Sequence, residues 1–118
     1  MKDYREYIVW QKAHNFTMDV YKVTDNFPRS EIYGLAGQIR RAVASIPTNI
    51  AEGCGRNTDK DFARFLDIAS GSASETDYQL LLSKDLKFID AEHYKSLYEQ
   101  LTEIRKMLSS LIGKLRSC

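Results

Sequence analysis

Between Gln38 and Gly53 the chain carries an amphipathic helical pattern with two distinct faces, and this stretch limits the fold more than any other. Ile39, Ala42, Val43, Ile46, Ile50 and Gly53 recur at the three- and four-residue steps of a buried helix face. On the opposite face Arg41, Ser45, Thr48, Asn49 and Glu52, continued by Arg56, present charges, hydroxyls and amides. A complementary face lies downstream, where Arg64, Gly71, Ser72, Glu75 and Gln79 share one side of another helical segment. If the chain turns at Thr58, residues whose numbers sum to 116 stand at equal height, which sets Arg41 beside Glu75 and Glu52 beside Arg64. Two opposite-charge coincidences in one register predict an antiparallel helical hairpin. Arg41, Asn49, Glu52, Arg64 and Glu75 are therefore expected to form a structural polar seam, within the hairpin or between subunits. Such a seam selects register more than it adds stability; a ligand or nucleic-acid surface is the competing reading.

The rest of the chain repeats the helical period. Val9, Ala13, Phe16, Val20, Val23 and Phe27 form a first block, and Pro28 stops it because its ring cannot follow a preceding helical turn. The second block is expected to start near Ser30 as N-cap and to include Ile32 and Leu35 in its buried stripe. Pro47 lies inside that block, where an interior proline costs about 3 kcal/mol. The apolar phase continues past it, so a kink near Val43 is favoured over a break. Gly53 to Asn57 reads as a C-cap and turn, and Thr58 to Asp61 as the start of the next helix, with an acidic residue three positions after the threonine.

The third stripe, Phe62, Phe65, Leu66, Ala69, Ala73, Thr76 and Leu80, holds one period through the small residues Ser70 to Ser74. The segment is read as helical, with Gly71 tolerated if these small residues admit another helix closely; Ile68 alone falls toward the polar face. After Asp90 as N-cap, Tyr94, Leu97, Leu101, Ile104, Leu108, Leu111 and Leu115 form a heptad seam. Four amphipathic helices with short connections predict an all-α, up-down-up-down four-helix bundle, one domain over residues 1–118. Trp10, Tyr21, Ile68, Leu81, Leu82, Leu86, Tyr98 and Ile112 fall outside the main stripes. Homo-oligomerisation is the expected sink for this surplus apolar surface.

The formal charge of +1, from 17 basic and 16 acidic residues, excludes the global field of a dedicated polyanion binder. Any nucleic-acid contact must be local. Residues 29–57 carry +2 and residues 58–89 carry −2, and Arg40, Arg56 and Lys60 are the candidate contacts, to be multiplied by repeated copies in an assembly. Tyr4, Tyr7 and Trp10, interleaved with Lys2, Arg5 and Lys12, offer a stacking surface for single strands, but Asp3 and Glu6 between them favour helix anchoring.

Cys54 and Cys118 are expected as free thiols in a reduced, cytoplasmic protein. The N-terminus lacks the apolar core of a signal peptide, and no run approaches the roughly 20 apolar residues that span a bilayer. His14 and His93 are the two histidines and no Glu-x-x-His pair exists, so neither a metal nor another cofactor is expected. Cys54 at a helix C-terminus has nothing in sequence to activate its thiol, and Gly53 to Gly55 lacks the strand and the Gly-Lys-Ser/Thr ending of a phosphate cradle. The chain is expected to have no catalytic residue.

Val9 to Ala13, Phe27-Pro28 with Glu31 and Tyr33 to Leu35, Gln38 to Gly53 with Arg56, and Ala69 to Glu75 resemble the 23S rRNA intervening-sequence protein family, the bacterial "four helix bundle proteins". The similarity spans nearly the whole chain. It implies a four-helix bundle assembling as a homopentamer, with members named for reading frames inside inserts of ribosomal RNA genes. A group that looks related, the accessory proteins of diversity-generating retroelements, is a basic pentameric barrel that works with a reverse transcriptase and RNA. This chain differs from that group in being nearly neutral. Two partner classes follow: RNA or a nucleoprotein, and, as the alternative, protein partners alone.

Overall fold

Each apolar block becomes one helix in the computed structural model, which describes residues 2–117. The helices are α1 (Ile8–Thr24), α2 (Leu35–Cys54), α3 (Asp59–Asp85) and α4 (Ala91–Arg116), with short 3₁₀ turns at Tyr4–Glu6 and Arg29–Glu31. Cys118, expected as a free thiol, lies outside the described residues. Among those residues there is no strand. Each helix packs on its neighbours in sequence, and α4 closes back on α1, so the four stand at the corners of an up-down-up-down bundle measuring 46 × 23 × 20 Å. One core runs through it, from Val9, Phe16 and Val20 to Ile39, Ile46 and Ile50, then Leu66 and Leu80, then Leu101, Ile104 and Leu108.

The α2–α3 contact is the most extensive in the bundle. Thr58 accepts a hydrogen bond from the Asp61 N–H at 3.1 Å and so starts α3 immediately after the turn. The hairpin then runs in the expected register: the Ser72 hydroxyl donates to Ser45 Oγ at 2.9 Å, and Gly53 lies against Phe62 and Phe65. A Cβ on Gly53 would stand 2.8 Å from both Phe62 Cδ1 and Phe65 Cβ, so glycine is what lets the helices meet there. Within the small-residue run, Ala69 and Ala73 are buried and Ser72 faces α2, while a Cβ on Gly71 would meet nothing within 4 Å.

Helix α2 passes through Pro47 without interruption. Proline deprives the carbonyl four residues back, that of Val43, of its helical N–H donor. The Thr17 hydroxyl on α1 lies 3.3 Å from that carbonyl and 2.7 Å from its own Ala13 carbonyl, so it shares one proton between the two. A neighbouring helix thus replaces part of what proline removes, which is why the pattern survives it.

Two expectations need correction. Helix α2 starts at Leu35 rather than near Ser30, because residues 29–31 form a 3₁₀ turn and the Glu31 carboxylate accepts the Leu35 N–H at 3.0 Å. Ile32, placed in the buried stripe by its spacing, is consequently 56% exposed in the connection. The remaining caps follow the sequence: Asp90 accepts the His93 N–H at 2.7 Å at the start of α4. At the end of α3 the Phe88 N–H bonds to Ser83 O and the Lys87 N–H to Lys84 O, a Schellman arrangement. It puts Lys87 at φ 65°, a left-handed conformation that glycine adopts with less strain.

The N-terminal aromatic residues anchor the chain to the end of the bundle. Tyr7 meets the Phe62 ring edge-on at 5.7 Å, Tyr4 meets Trp10 at 4.9 Å, and Trp10 stacks on His14 at 5.0 Å. The Cys54 thiol donates to Lys2 O at 2.9 Å and Gln11 Nε2 to Arg5 O at 2.8 Å.

Candidate functional site

The outer α2–α3 face holds the polar seam. Gln38, Arg41, Ala42 and Ser45 from α2, with Ser72 and Glu75 from α3, line one hollow of about 300 Å³. Arg41 and Glu75 thus share a site, at the predicted height, but no hydrogen bond or ion pair joins them among the described residues. Asn49 Nδ2 donates to Ser45 O and to Ser45 Oγ, at 2.8 and 2.9 Å, and Ser45 Oγ also accepts from Ser72. The Ser45–Ser72 hydrogen bond, rather than a charge pair, joins α2 to α3 in the seam. Arg64 turns away from Glu52: it pairs at 3.0 Å with Asp61, one turn back on its own helix, and lies over Phe65. A partner three residues away on the same helix needs no cross-helix reach, and the gain from either exposed pair is below about 1 kcal/mol.

Gln79 is the polar residue of this region that sequence spacing placed on the seam without showing its depth. It is 6% exposed; its Nε2 donates to Glu75 Oε2 at 3.2 Å, and its Oε1 is buried without a hydrogen-bond partner. Along α3, Ile68, Ser72, Glu75, Gln79, Leu82 and Leu86 follow one another at steps of four and three, the spacing of a coiled-coil seam. This is a second seam beside the one facing the core, apolar at its ends and polar in the middle. Ile68 and Leu86 are exposed, so the bundle's own helices leave the two ends of it uncovered. The alternating spacing was the sequence signal for it, hidden because each residue taken singly reads as a stray on the polar face.

The three candidate nucleic-acid residues do not come together. Arg40 is engaged at the end of α1: Nε donates to Thr24 Oγ1 at 2.8 Å, and Nη2 to Tyr21 O at 3.1 Å and to Asp25 at 2.7 Å. It caps that helix terminus, supplying a cation and donors where carbonyls are unpaired. Arg56 lies roughly 20 Å or more away along the α2 axis, over the Phe65 ring and 3.6 Å from Asp61. Lys60 is exposed in the first turn of α3 and borders a hollow with Thr58, Asp61, Arg64 and Arg116. Arg116 there pairs with Asp67. The expected trio is therefore two separate places: a structural Arg40, and a bundle end where Lys60 is unpaired among the described residues.

No group of three or more His, Cys, Asp or Glu side chains able to hold a metal occurs among the described residues. His93 bonds to Asp90 and His14 stacks on Trp10. Cys54 is free and buried, and burial first, then the Asp3 charge, pushes its thiol above the ordinary range, the opposite of nucleophile activation. No helix among the described residues is long and apolar enough to cross a membrane.

Comparison with known proteins agrees with this architecture. A crystal structure of a protein with unknown function from the S23 ribosomal protein family of Bacteroides thetaiotaomicron superposes with a TM-score of 0.80 at 33% identity, covering 89% of this chain and 98% of that one. No curated protein matches the chain. The family model described as 23S rRNA-intervening sequence protein matches residues 5–110, which takes in all of α1, α2 and α3 and most of α4. The chain, with its unbroken proline-containing α2 and its α2–α3 hairpin, belongs to the 23S rRNA-intervening sequence protein family.

Proposed function

We propose that the protein is a non-enzymatic homo-oligomeric scaffold that assembles through its outer α2–α3 face. One observation carries the reading: α3 bears a second heptad-spaced seam whose two apolar ends, Ile68 and Leu86, are left exposed by its own bundle. Heptad seams are buried by helices, and a uniform small bundle gains nothing from leaving one open. The family resemblance adds the number, a homopentamer, and the free buried Cys54 fits a reducing compartment such as the cytoplasm. Light scattering at micromolar concentration tests the reading, with Ile68→Lys/Leu86→Lys as the disrupting variant. Loss of assembly in a folded variant supports it, and a monodisperse monomer from the parent chain overturns it.

A second reading, RNA or nucleoprotein binding by the assembly, is favoured by the bundle end where Lys60 projects beside Thr58, Arg64 and Arg116. Asp61 and Asp67 neutralise much of that charge in one copy, so useful affinity requires several copies acting together. RNA binding across a salt series decides: phosphate contacts give a steep slope that Lys60→Glu flattens. Absence of binding by the parent at low salt leaves a scaffold for protein partners alone.

A further inference from the structure

We propose that the hollow at the α1–α2 corner binds the C-terminal residue of a protein partner, its apolar side chain against Phe27, Pro28 and Ile32 and its terminal carboxylate held by Arg29 and Arg40. Neither the hollow nor its rim includes a residue of the α3 seam, so this contact and self-assembly are separable.

Two arginines border the hollow, and both have donors to spare. Arg40 is held in place: its Nε and Nη2 serve Thr24 Oγ1, Tyr21 O and Asp25, and its guanidinium carbon lies 4.9 Å from the centre of the Tyr21 ring. Nη1, alone among its nitrogens, makes no hydrogen bond among the described residues, so its two protons are presented on a side chain that is already ordered. The Arg29 side chain makes no hydrogen bond or ion pair among them. Its backbone is set by the 3₁₀ turn, where its carbonyl accepts the Ile32 N–H at 3.2 Å. The carboxylate at the hollow, Asp25, is paired with Arg40 at 2.7 Å. One arginine charge is left over, the complement of a single carboxylate.

The apolar side suits one residue and the start of the chain before it. The hollow measures about 230 Å³, smaller than the roughly 300–1,000 Å³ of most small-molecule sites. Its floor is firm: Phe27 is buried with its ring 5.4 Å from that of Phe88, and Pro28 fixes its φ at −53°. Ile32 lines the hollow yet stays more than half exposed, and Tyr33, next in the chain, is 96% exposed. Apolar surface thus continues beyond the hollow, which suits a chain entering by its end more than a free acid that stops there. Capture of a C-terminal carboxylate is a recurring mode of peptide recognition. A polyanion is disfavoured by Asp25 and by an apolar floor that has no donor for further phosphates.

The test uses the full chain and a fluorescein-labelled Gly-Ser-Gly-Ser-Phe-Leu peptide with a free C-terminal carboxylate, read by fluorescence anisotropy against the same peptide ending in a carboxamide. Amidation is expected to weaken binding by roughly 10-fold or more, the range for losing a charge-assisted contact. Arg29→Glu and Ile32→Asp are expected to weaken it at least as much, while Lys60→Glu, at the opposite end of the bundle, leaves it unchanged; far-UV circular dichroism checks folding. Equal binding of acid and carboxamide, no binding of either, or a folded Arg29→Glu protein that binds like the parent overturns the site. 4-Methylpentanoate that binds as tightly as the peptide overturns the protein partner in favour of a small acid. Should Arg29→Glu fail to fold, Arg29→Gln removes the charge without repulsion. Light scattering on the same samples separates the two readings: a monomeric parent that binds the acid peptide keeps the site and loses the scaffold, and an assembled parent that ignores it does the reverse.

Discussion

Replacing Gly53 with alanine tests the closest approach in the bundle. The added Cβ would stand 2.8 Å from Phe62 Cδ1, 2.8 Å from Phe65 Cβ and 3.2 Å from the Phe62 carbonyl oxygen. Carbon pairs rest at about 3.5–4.0 Å. The Phe62 ring has limited room to tilt, since Tyr7 packs edge-on against it, and the other two atoms belong to or adjoin the α3 backbone. Relief therefore requires α2 and α3 to separate where the hairpin is tightest. Overpacking costs about 1–3 kcal/mol, and two contacts that cannot relax without moving α3 place it at about 2–3 kcal/mol, opposed by about 1 kcal/mol from replacing a helical glycine. The net expectation is a loss of about 1–2 kcal/mol, or a fall in Tm of about 4–8 °C for a domain of this size. Gly113→Ala is the control: no atom lies within 4 Å of its Cβ position, so only the propensity gain remains and stability is expected to rise by about 1 kcal/mol. Thermal and urea unfolding followed by far-UV circular dichroism, at one fixed protein concentration because assembly shifts apparent stability, measures both. A Gly53→Ala protein as stable as the parent, alongside a control that behaves as expected, would refute the close-approach argument.

Lys87→Gly is expected to raise stability by about 1 kcal/mol in the same unfolding assay, because it relieves the left-handed strain at φ 65°. Thr17→Val should cost about 1–2 kcal/mol, and less in a Pro47→Ala background, where the restored N–H serves the Val43 carbonyl; equal costs in both backgrounds sink the replacement-donor explanation. The Cys54 thiol is pushed up by burial, so the unfolded chain loses its thiol proton first, above about pH 8.5; stability is intact below that and is lost as pH rises through the folded pKa. Cys54→Ala should flatten this alkaline limb in urea melts across pH, and an unchanged limb contradicts the assignment. Asp90 is held below the ordinary carboxylate range by the His93 backbone N–H and then by its ring, so its contribution is present above that range and lost as pH falls through the lowered pKa. Asp90→Asn should remove that part of the acid dependence, read by the same melts.

By itself the sequence determined the four helices, their caps at Thr58 and Asp90, and the register of the hairpin. These are local or periodic properties: a cap needs one side chain three residues from one N–H, and a buried stripe needs only the helical repeat. The same periodicity carried α2 through Pro47 and placed Arg41 and Glu75 at one height. The tertiary structure alone decided which groups bond. Arg40 could be placed off the core stripe from spacing, but its three partners at the end of α1 exist only once α1 and α2 pack. Arg64 chose Asp61 over Glu52 because competing exposed ion pairs differ by less than about 1 kcal/mol, and side-chain reach settles the choice. Ile32 followed the apolar period yet fell outside the helix that the Glu31 cap starts. The unmet Gln79 carbonyl was equally invisible in spacing, since whether a buried oxygen has a donor depends on every side chain around it, and those are assembled only by the packing of α3 against α2.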